Sequence, residues 1–164
     1  MASDGGHPIA AGRNVTPKFP GAMDGPVEVK CFSNSGHSTA AKCIASQRSV
    51  FGPSFEEVPG KDKTNLHSYV DWNWYDQQSA GARNWVLVTN PSATDTITAT
   101  VTSTDQGSGV AQTASQNIAP SGRWYGTFPG KMGGPVHAAA VKQGTSTSEP
   151  IITWNGYFNE VWGQ

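Results

Sequence analysis

Charge is scarce in this sequence. Asp, Glu, Lys and Arg together make up 14% of its 164 residues and leave a net charge of −1. There is therefore no basic field to hold a phosphate backbone or an anionic bilayer, and nucleic acid is not an expected partner. Long apolar runs are missing too. None approaches the roughly 20 residues that cross a bilayer as a helix, so no membrane insertion is expected. The opening MASDGGHPIAAG has neither the charged nor the apolar part of a secretory signal; if the protein is exported, its signal has been removed, or the chain is a piece of a larger protein behind a start Met. A helix-forming composition is absent as well. Gly (19) and Pro (11), with abundant Ser, Thr and Asn, take the places that Lys, Glu and Leu hold in helical proteins, which favours strands and turns.

Cysteine is limited to Cys31 and Cys43, which lie in VEVKCF and AAKCIASQ on either side of the polar SNSGHSTA. The polar stretch reads as a turn, which sets two antiparallel strands with the cysteines roughly opposite each other. A disulfide is the expected state, with two buried free thiols as the alternative. The bond would contribute about 3 kcal/mol by restricting the unfolded chain and would place the protein in an oxidising compartment, outside the cell or on its surface. Two cysteines this far apart without a CxxC partner make a poor zinc site, and no cofactor is expected.

What is present is an internal repeat. IAAGRNVTPKFPGAMDGPV, residues 9–27, aligns without a gap onto IAPSGRWYGTFPGKMGGPV, residues 118–136. A turn-rich stretch and an apolar strand follow each block (CIASQRSVF, then IITWNGYF). Each copy closes on a short signature, Phe55-Glu56-Glu57-Val58 and Phe158-Asn159-Glu160-Val161. Nothing ahead of Ile9 corresponds to residues 66–110, so residues 1–58 read as the C-terminal half of a unit and residues 59–164 as a complete one. A half unit of that size buries too little apolar surface to fold alone. It either packs on the complete unit or takes strands from another molecule. Phe-Pro-Gly and Gly-Pro-Val read as tight corners between strands rather than strand interiors, because proline removes a donor and fixes φ while glycine permits φ > 0.

The pattern predicts several short strands. Residues 85–88 (WVLV) read as a buried strand that stops at Asn90-Pro91. Residues 96–102 alternate strictly, with Ile97, Ala99 and Val101 on one face and threonines on the other, as in an antiparallel sheet with one wet face. DQGSG and APSGR are turns, and further strands are predicted at 110–118, 124–128, 136–141, 151–154 and 158–162. SAGARNW is long enough for one helical turn. Short strands at this spacing make an all-β protein, an antiparallel immunoglobulin-like β-sandwich.

The run YVDWNWYDQQSAGARNWVLVTNPSATDTITATV, then FPGKMGGPV, then WNGYFNEVWG, resembles a β-sandwich repeat found in tandem in exported, cell-envelope-associated proteins of actinobacteria and related bacteria, where it is often appended to cell-wall enzymes. The resemblance covers residues 66–163 almost throughout and residues 9–60 as the second half of a preceding copy. It implies a cell-exterior module and supplies no catalytic or ligand residues. The chain departs from the pattern in lacking the front half of its first copy and any attached enzyme domain.

No constellation for catalysis is evident. His7, His37, His67 and His137 are scattered without metal-ligand spacing and read as exposed turn or strand-face residues, and GxSxG is absent. Asp71, Asn73 and Asp76 have oxygen-ligand spacing but lack the glycine and terminal glutamate of an EF-hand loop, so they read as turn or strand-edge acids. Glu56, Glu57 and Glu160 read as solvated strand-edge acids. The aromatics are the remaining candidates: Trp72, Trp74, Tyr75, Trp154, Tyr157 and Trp162 suit core packing, a subunit interface or a glycan-stacking platform. Trp72 and Trp74 share a face by alternation, and core packing is the favoured reading for that pair. The expected function is a non-enzymatic structural or adhesive module of the cell exterior, partnered by copies of itself or by other envelope proteins. In its sharper form the module self-assembles through strand contacts between subunits. Its rival is a carbohydrate-binding module for cell-wall glycan.

Overall fold

A computed structural model of the chain describes residues 6–11, 13–18, 27–34, 36–51, 54–75, 82–126, 128 and 132–159. Among these the protein is all-β. Strands β1 (Ser46–Phe51) and β2 (Ser54–Pro59) form an antiparallel two-stranded sheet, closed at its base by the Gly60 N–H donating to the Ala45 carbonyl at 2.8 Å. One short 3-10 turn, Lys63–Asn65, follows and is capped by Asp62. Seven strands then build the sandwich: β3 (Tyr69–Tyr75), β4 (Ala82–Thr89), β5 (Ile97–Thr104), β6 (Ala111–Ile118), β7 (Arg123–Gly126), β8 (Met132–Lys142) and β9 (Ile152–Asn159). They sort into a four-stranded sheet, β3-β8-β5-β6, and a three-stranded sheet, β7-β4-β9, with every pairing antiparallel.

Strand β5 follows directly from its alternation. Ile97, Ala99 and Val101 are buried, while Thr98, Thr100 and Thr102 face outward and share hydrogen bonds of 2.8–2.9 Å with Asn117, Ser115 and Thr113 of β6. Val86 and Val88 of β4 meet them from the other sheet, and Val136, Ala138 and Ala140 of β8 complete the layer beside β5. Ile118, Phe128 and Ile151 belong to the same cluster. Each fully buried Val, Ile or Phe stabilises the fold by about 1.5–3 kcal/mol, so the cluster holds the two sheets together.

A buried asparagine fixes one end of the sandwich. Asn90, just past β4, is fully buried. Its Nδ2 donates to the carbonyls of Asp95 (2.8 Å), Ile118 (3.0 Å) and Ala119 (3.1 Å), and its Oδ1 accepts from the Ser92 N–H at 3.0 Å. This ties the exit of β4 in one sheet to the ends of β5 and β6 in the other. The strand stop read at Asn90-Pro91 is thus also a tie between sheets. Outside the core, the Lys142 ammonium contacts the Asp95 carboxylate at 2.7 Å. That hydrogen bond holds the Asp95 carboxyl below its ordinary range and the Lys142 ammonium above its own.

Four expectations need correction. Gly-Pro-Val at 134–136 is no corner: both Gly134 and Pro135 lie inside β8. Proline is accommodated because pairing with β5 ends at Val136, leaving Pro135 paired only with Asn73 of β3, next to a register shift between Asn73 and Tyr75. Gly134 is required because a Cβ there would overlap the Thr104 carbonyl. The strands predicted at 151–154 and 158–162 are one strand, β9, as far as Asn159. The helical turn considered at SAGARNW is absent from its described part, since Ala82 to Trp85 belong to β4. Finally, the cysteines are not flanked by regular strands; the chain around them makes only an isolated bridge between Phe32 and Ala40. The Phe-Pro-Gly corners, residues 19–21 and 129–130, lie outside the described residues apart from buried Phe128.

Candidate interaction surfaces

Cys31 and Cys43 form the expected disulfide, with their Cα atoms 6.2 Å apart. The loop it closes is organised by Asn34, whose Oδ1 accepts from the Ser38 and Thr39 N–H groups at 3.2 Å while Nδ2 donates to Ser38 Oγ at 2.8 Å. His37, at a φ of 51°, stacks on Phe32 with ring centroids 5.2 Å apart.

The outer face of the four-stranded sheet carries the most organised polar group. Register places Asp71 of β3 opposite His137 of β8, and His137 opposite Thr102 of β5. His137 Nδ1 donates to Asp71 Oδ1 at 2.6 Å, and Tyr69 stacks on the same imidazole with centroids 6.1 Å apart. His67 lies beyond, tilted toward Tyr69 at 6.4 Å. The row ends in the Thr102 hydroxyl, which is shared with Thr113, and so the Asp71–His137 pair resembles an acid–imidazole dyad with no unshared hydroxyl in this row among the described residues. Both members are solvent-exposed, which makes their attraction weak. Among the described residues no three His, Cys, Asp or Glu side chains gather in a way that would hold a metal ion. Asp76 and Glu160 lie outside the described residues, and Glu56 and Glu57 are placed in β2 by backbone alone.

The aromatic candidates are divided between sheets. Trp72, Trp74 and Tyr75 lie on β3, with Trp72 opposite Val136 and Tyr75 opposite Met132. Trp154 and Tyr157 lie on β9, opposite Leu87 and Asn84 of β4. The fold therefore does not bring the six onto one strand pair. Their side chains, and Trp162 altogether, lie outside the described residues. Two aromatics outside the candidate set stand widely open, Tyr125 on β7 at 66% exposure and Tyr69 on β3 at 57%. The signal for Tyr69 was the alternation of YVDWNWY, which sets Tyr69 with Asp71 on one face.

Among the described residues the sandwich has four edge strands, β3, β6, β7 and β9. β3 carries Asp71 and an irregular register, and β7 is only four residues long with Arg123 at its start. Both devices discourage further pairing. β6 has neither: AQTASQNI contains no charge and no proline, and it pairs with β5 over eight successive residues without a shift. β9 is likewise uncharged, but only β6 has its side chains described throughout. Compared with family models, curated proteins and solved structures, the chain has no significant match to any.

Proposed function

We propose that this protein is a non-enzymatic structural or adhesive module of the cell exterior that self-associates through strand contacts between subunits. The observation that carries this reading is the β6 edge. Backbone donors and acceptors at an unguarded edge pair readily with another strand. Antiparallel pairing of β6 with its copy, about a two-fold axis through Ala114 or Ser115, keeps outward residues on one face and brings no like charges together. The disulfide supports an oxidising location. Among the described residues no helix is long and apolar enough to cross a membrane. We liken the sandwich to the immunoglobulin type, and the resemblance to tandem envelope repeats fits the same role. Size-exclusion chromatography with negative-stain microscopy tests the proposal: dimers or filaments are expected at high concentration, and a strictly monomeric species contradicts it.

A second reading is favoured by a separate observation, the exposed Tyr69 stacked beside the Asp71–His137 pair. A flat ring next to an acid and an imidazole suits a sugar, with stacking on one side and hydroxyls bonded on the other. Titration with peptidoglycan, chitin and arabinogalactan fragments, followed by the Tyr69 and His137 ring resonances, decides it; unmoved resonances rule it out.

A further inference from the structure

The strand registers lay two rows of side chains across the outer face of the four-stranded sheet. Tyr69 of β3 stands opposite Ala139 of β8, Ala139 opposite Thr100 of β5, and Thr100 opposite Ser115 of β6. The neighbouring row runs Asp71, His137, Thr102, Thr113 in the same strand order. All eight positions point outward, because they alternate with the buried Ala99, Val101, Ala138 and Ala140 and their register partners. The two ends of this surface differ in kind. At the β3 end the exposed Tyr69 ring stacks beside His137, whose Nδ1 is engaged by Asp71. At the β6 end there are hydroxyls only.

A hydroxyl pair keeps bonding capacity for a ligand. The 2.9 Å bond between Thr100 Oγ1 and Ser115 Oγ uses the proton of one group and a lone pair of the other, and leaves a donor and further lone pairs facing solvent. Thr102 and Thr113 form a second pair of the same kind. Such pairs both donate and accept, as the hydroxyls of a sugar do. Ala139 carries only a methyl group, so the surface steps down between the Tyr69 ring and the Thr100 hydroxyl. The step leaves room for a flat ring. Neither row contains lysine or arginine, and the one carboxylate, Asp71, already accepts from His137 at 2.6 Å. An anionic ligand would meet that carboxylate without a lysine or arginine in the rows to offset it, so the chemistry selects an uncharged polyol.

Spacing narrows the class further. Neighbouring strands lie about 4.8 Å apart, so the order β3-β8-β5-β6 separates Tyr69 from Ser115 by about 14 Å. Each pyranose of an extended β-1,4-linked chain advances by close to one strand spacing, whereas an α-1,4-linked chain coils away from a flat surface. The row therefore matches the extended chain sugar for strand. We infer that Tyr69, Ala139, Thr100 and Ser115 form an extended site for an uncharged β-1,4-linked glycan lying across the strands. One sugar stacks on Tyr69, the next sits over Ala139, and the following ones bond to the Thr100 and Ser115 hydroxyls. The inference rests on the carbohydrate reading of the Tyr69 group and adds to it the linkage, the direction of the chain and the hydroxyl end of the site.

The test is an NMR titration of the isotope-labelled full chain with chitotetraose, cellotetraose and the α-linked maltotetraose. A β-linked tetrasaccharide should move the Tyr69 and His137 ring resonances together with the Thr100 and Ser115 amides, and maltotetraose should bind more weakly. Ser115→Ala should weaken the β-linked ligand about five-fold, the worth of one hydrogen bond, and Ser115→Thr should restore it. Ala139→Leu fills the step and should abolish binding, with the Val86 and Val88 amides unmoved as proof that the core is intact. Binding of either β-linked tetrasaccharide supports the inference, and which one binds tells whether the sugar carries an acetamido or a hydroxyl group at C2. If a β-linked tetrasaccharide moves the two rings but neither amide, or if maltotetraose binds as tightly, the inference is overturned while the carbohydrate reading stands. If no tetrasaccharide moves either end, both fall.

Discussion

Replacing Asn90 by Ala is the sharpest perturbation of the sandwich. The side chain is fully buried and joins three carbonyls and one amide N–H, drawn from the β4–β5 loop and the end of β6. Each net hydrogen bond is worth about 1 kcal/mol, and a buried group left without a partner costs about 1–3 kcal/mol. Since water can reach some of the released carbonyls, the expected loss is about 3–4 kcal/mol. This is a large share of the roughly 5–15 kcal/mol by which domains are stable. Urea unfolding followed by tryptophan fluorescence measures it. A loss below about 1 kcal/mol, a single ordinary hydrogen bond, would refute the role given to Asn90. Asn90→Asp adds a sign test. A carboxylate facing three carbonyl oxygens is disfavoured, so its folded pKa lies above the unfolded value. The variant should therefore lose stability as pH rises through that folded pKa and recover in acid, when one oxygen again carries a proton to donate.

Three further outcomes are expected. Gly134→Ala places a Cβ against the Thr104 carbonyl, a backbone atom that cannot swing away; about 3 kcal/mol of stability should be lost, measured by the same unfolding assay. Asp95 has a depressed folded pKa through Lys142, so its contribution is complete above the unfolded pKa of about 3.9 and disappears as pH falls through the lower folded value; NMR titration should show the Asp95 pKa rising in Lys142→Met, with a weaker acid dependence of unfolding. Replacing Cys31 and Cys43 by Ser removes a constraint worth about 3 kcal/mol in the chain-entropy account; hydrogen exchange should quicken at the Ser33 and Ala41 amides and stay unchanged at Val86 and Val88.

Local patterns in the sequence carried much of this fold. Strict alternation made β5 readable because each inward Ile, Ala or Val is followed by an outward Thr. The polar stretch between the cysteines made the disulfide readable as well. Features set by distant partners were not readable. Asn90 looked like a strand stop because the two carbonyls it binds on the β6 side lie 28 and 29 residues away, and nothing near it signals burial. Pro135 reads as a strand breaker in isolation; only the end of the β5–β8 ladder and the shifted register of β3 allow it inside β8. The Tyr69–His137–Asp71 group spans 66 residues between its acid and its imidazole and exists only because β3 pairs with β8. The aromatic candidates were read from sequence as one set of possible interface or stacking residues, whereas β3, with Trp72, Trp74 and Tyr75, and β9, with Trp154 and Tyr157, lie on different sheets.

The most direct test of self-association through β6 is sedimentation velocity of the full chain beside a Gln112→Lys/Gln116→Lys variant, each over a wide concentration range. Both glutamines are exposed on the β6 edge, and lysine there is a device by which natural edges resist pairing. The parent should form concentration-dependent dimers or larger species and the variant should remain monomeric with unchanged unfolding. A parent that stays monomeric, or a variant that associates as strongly as the parent, contradicts the account.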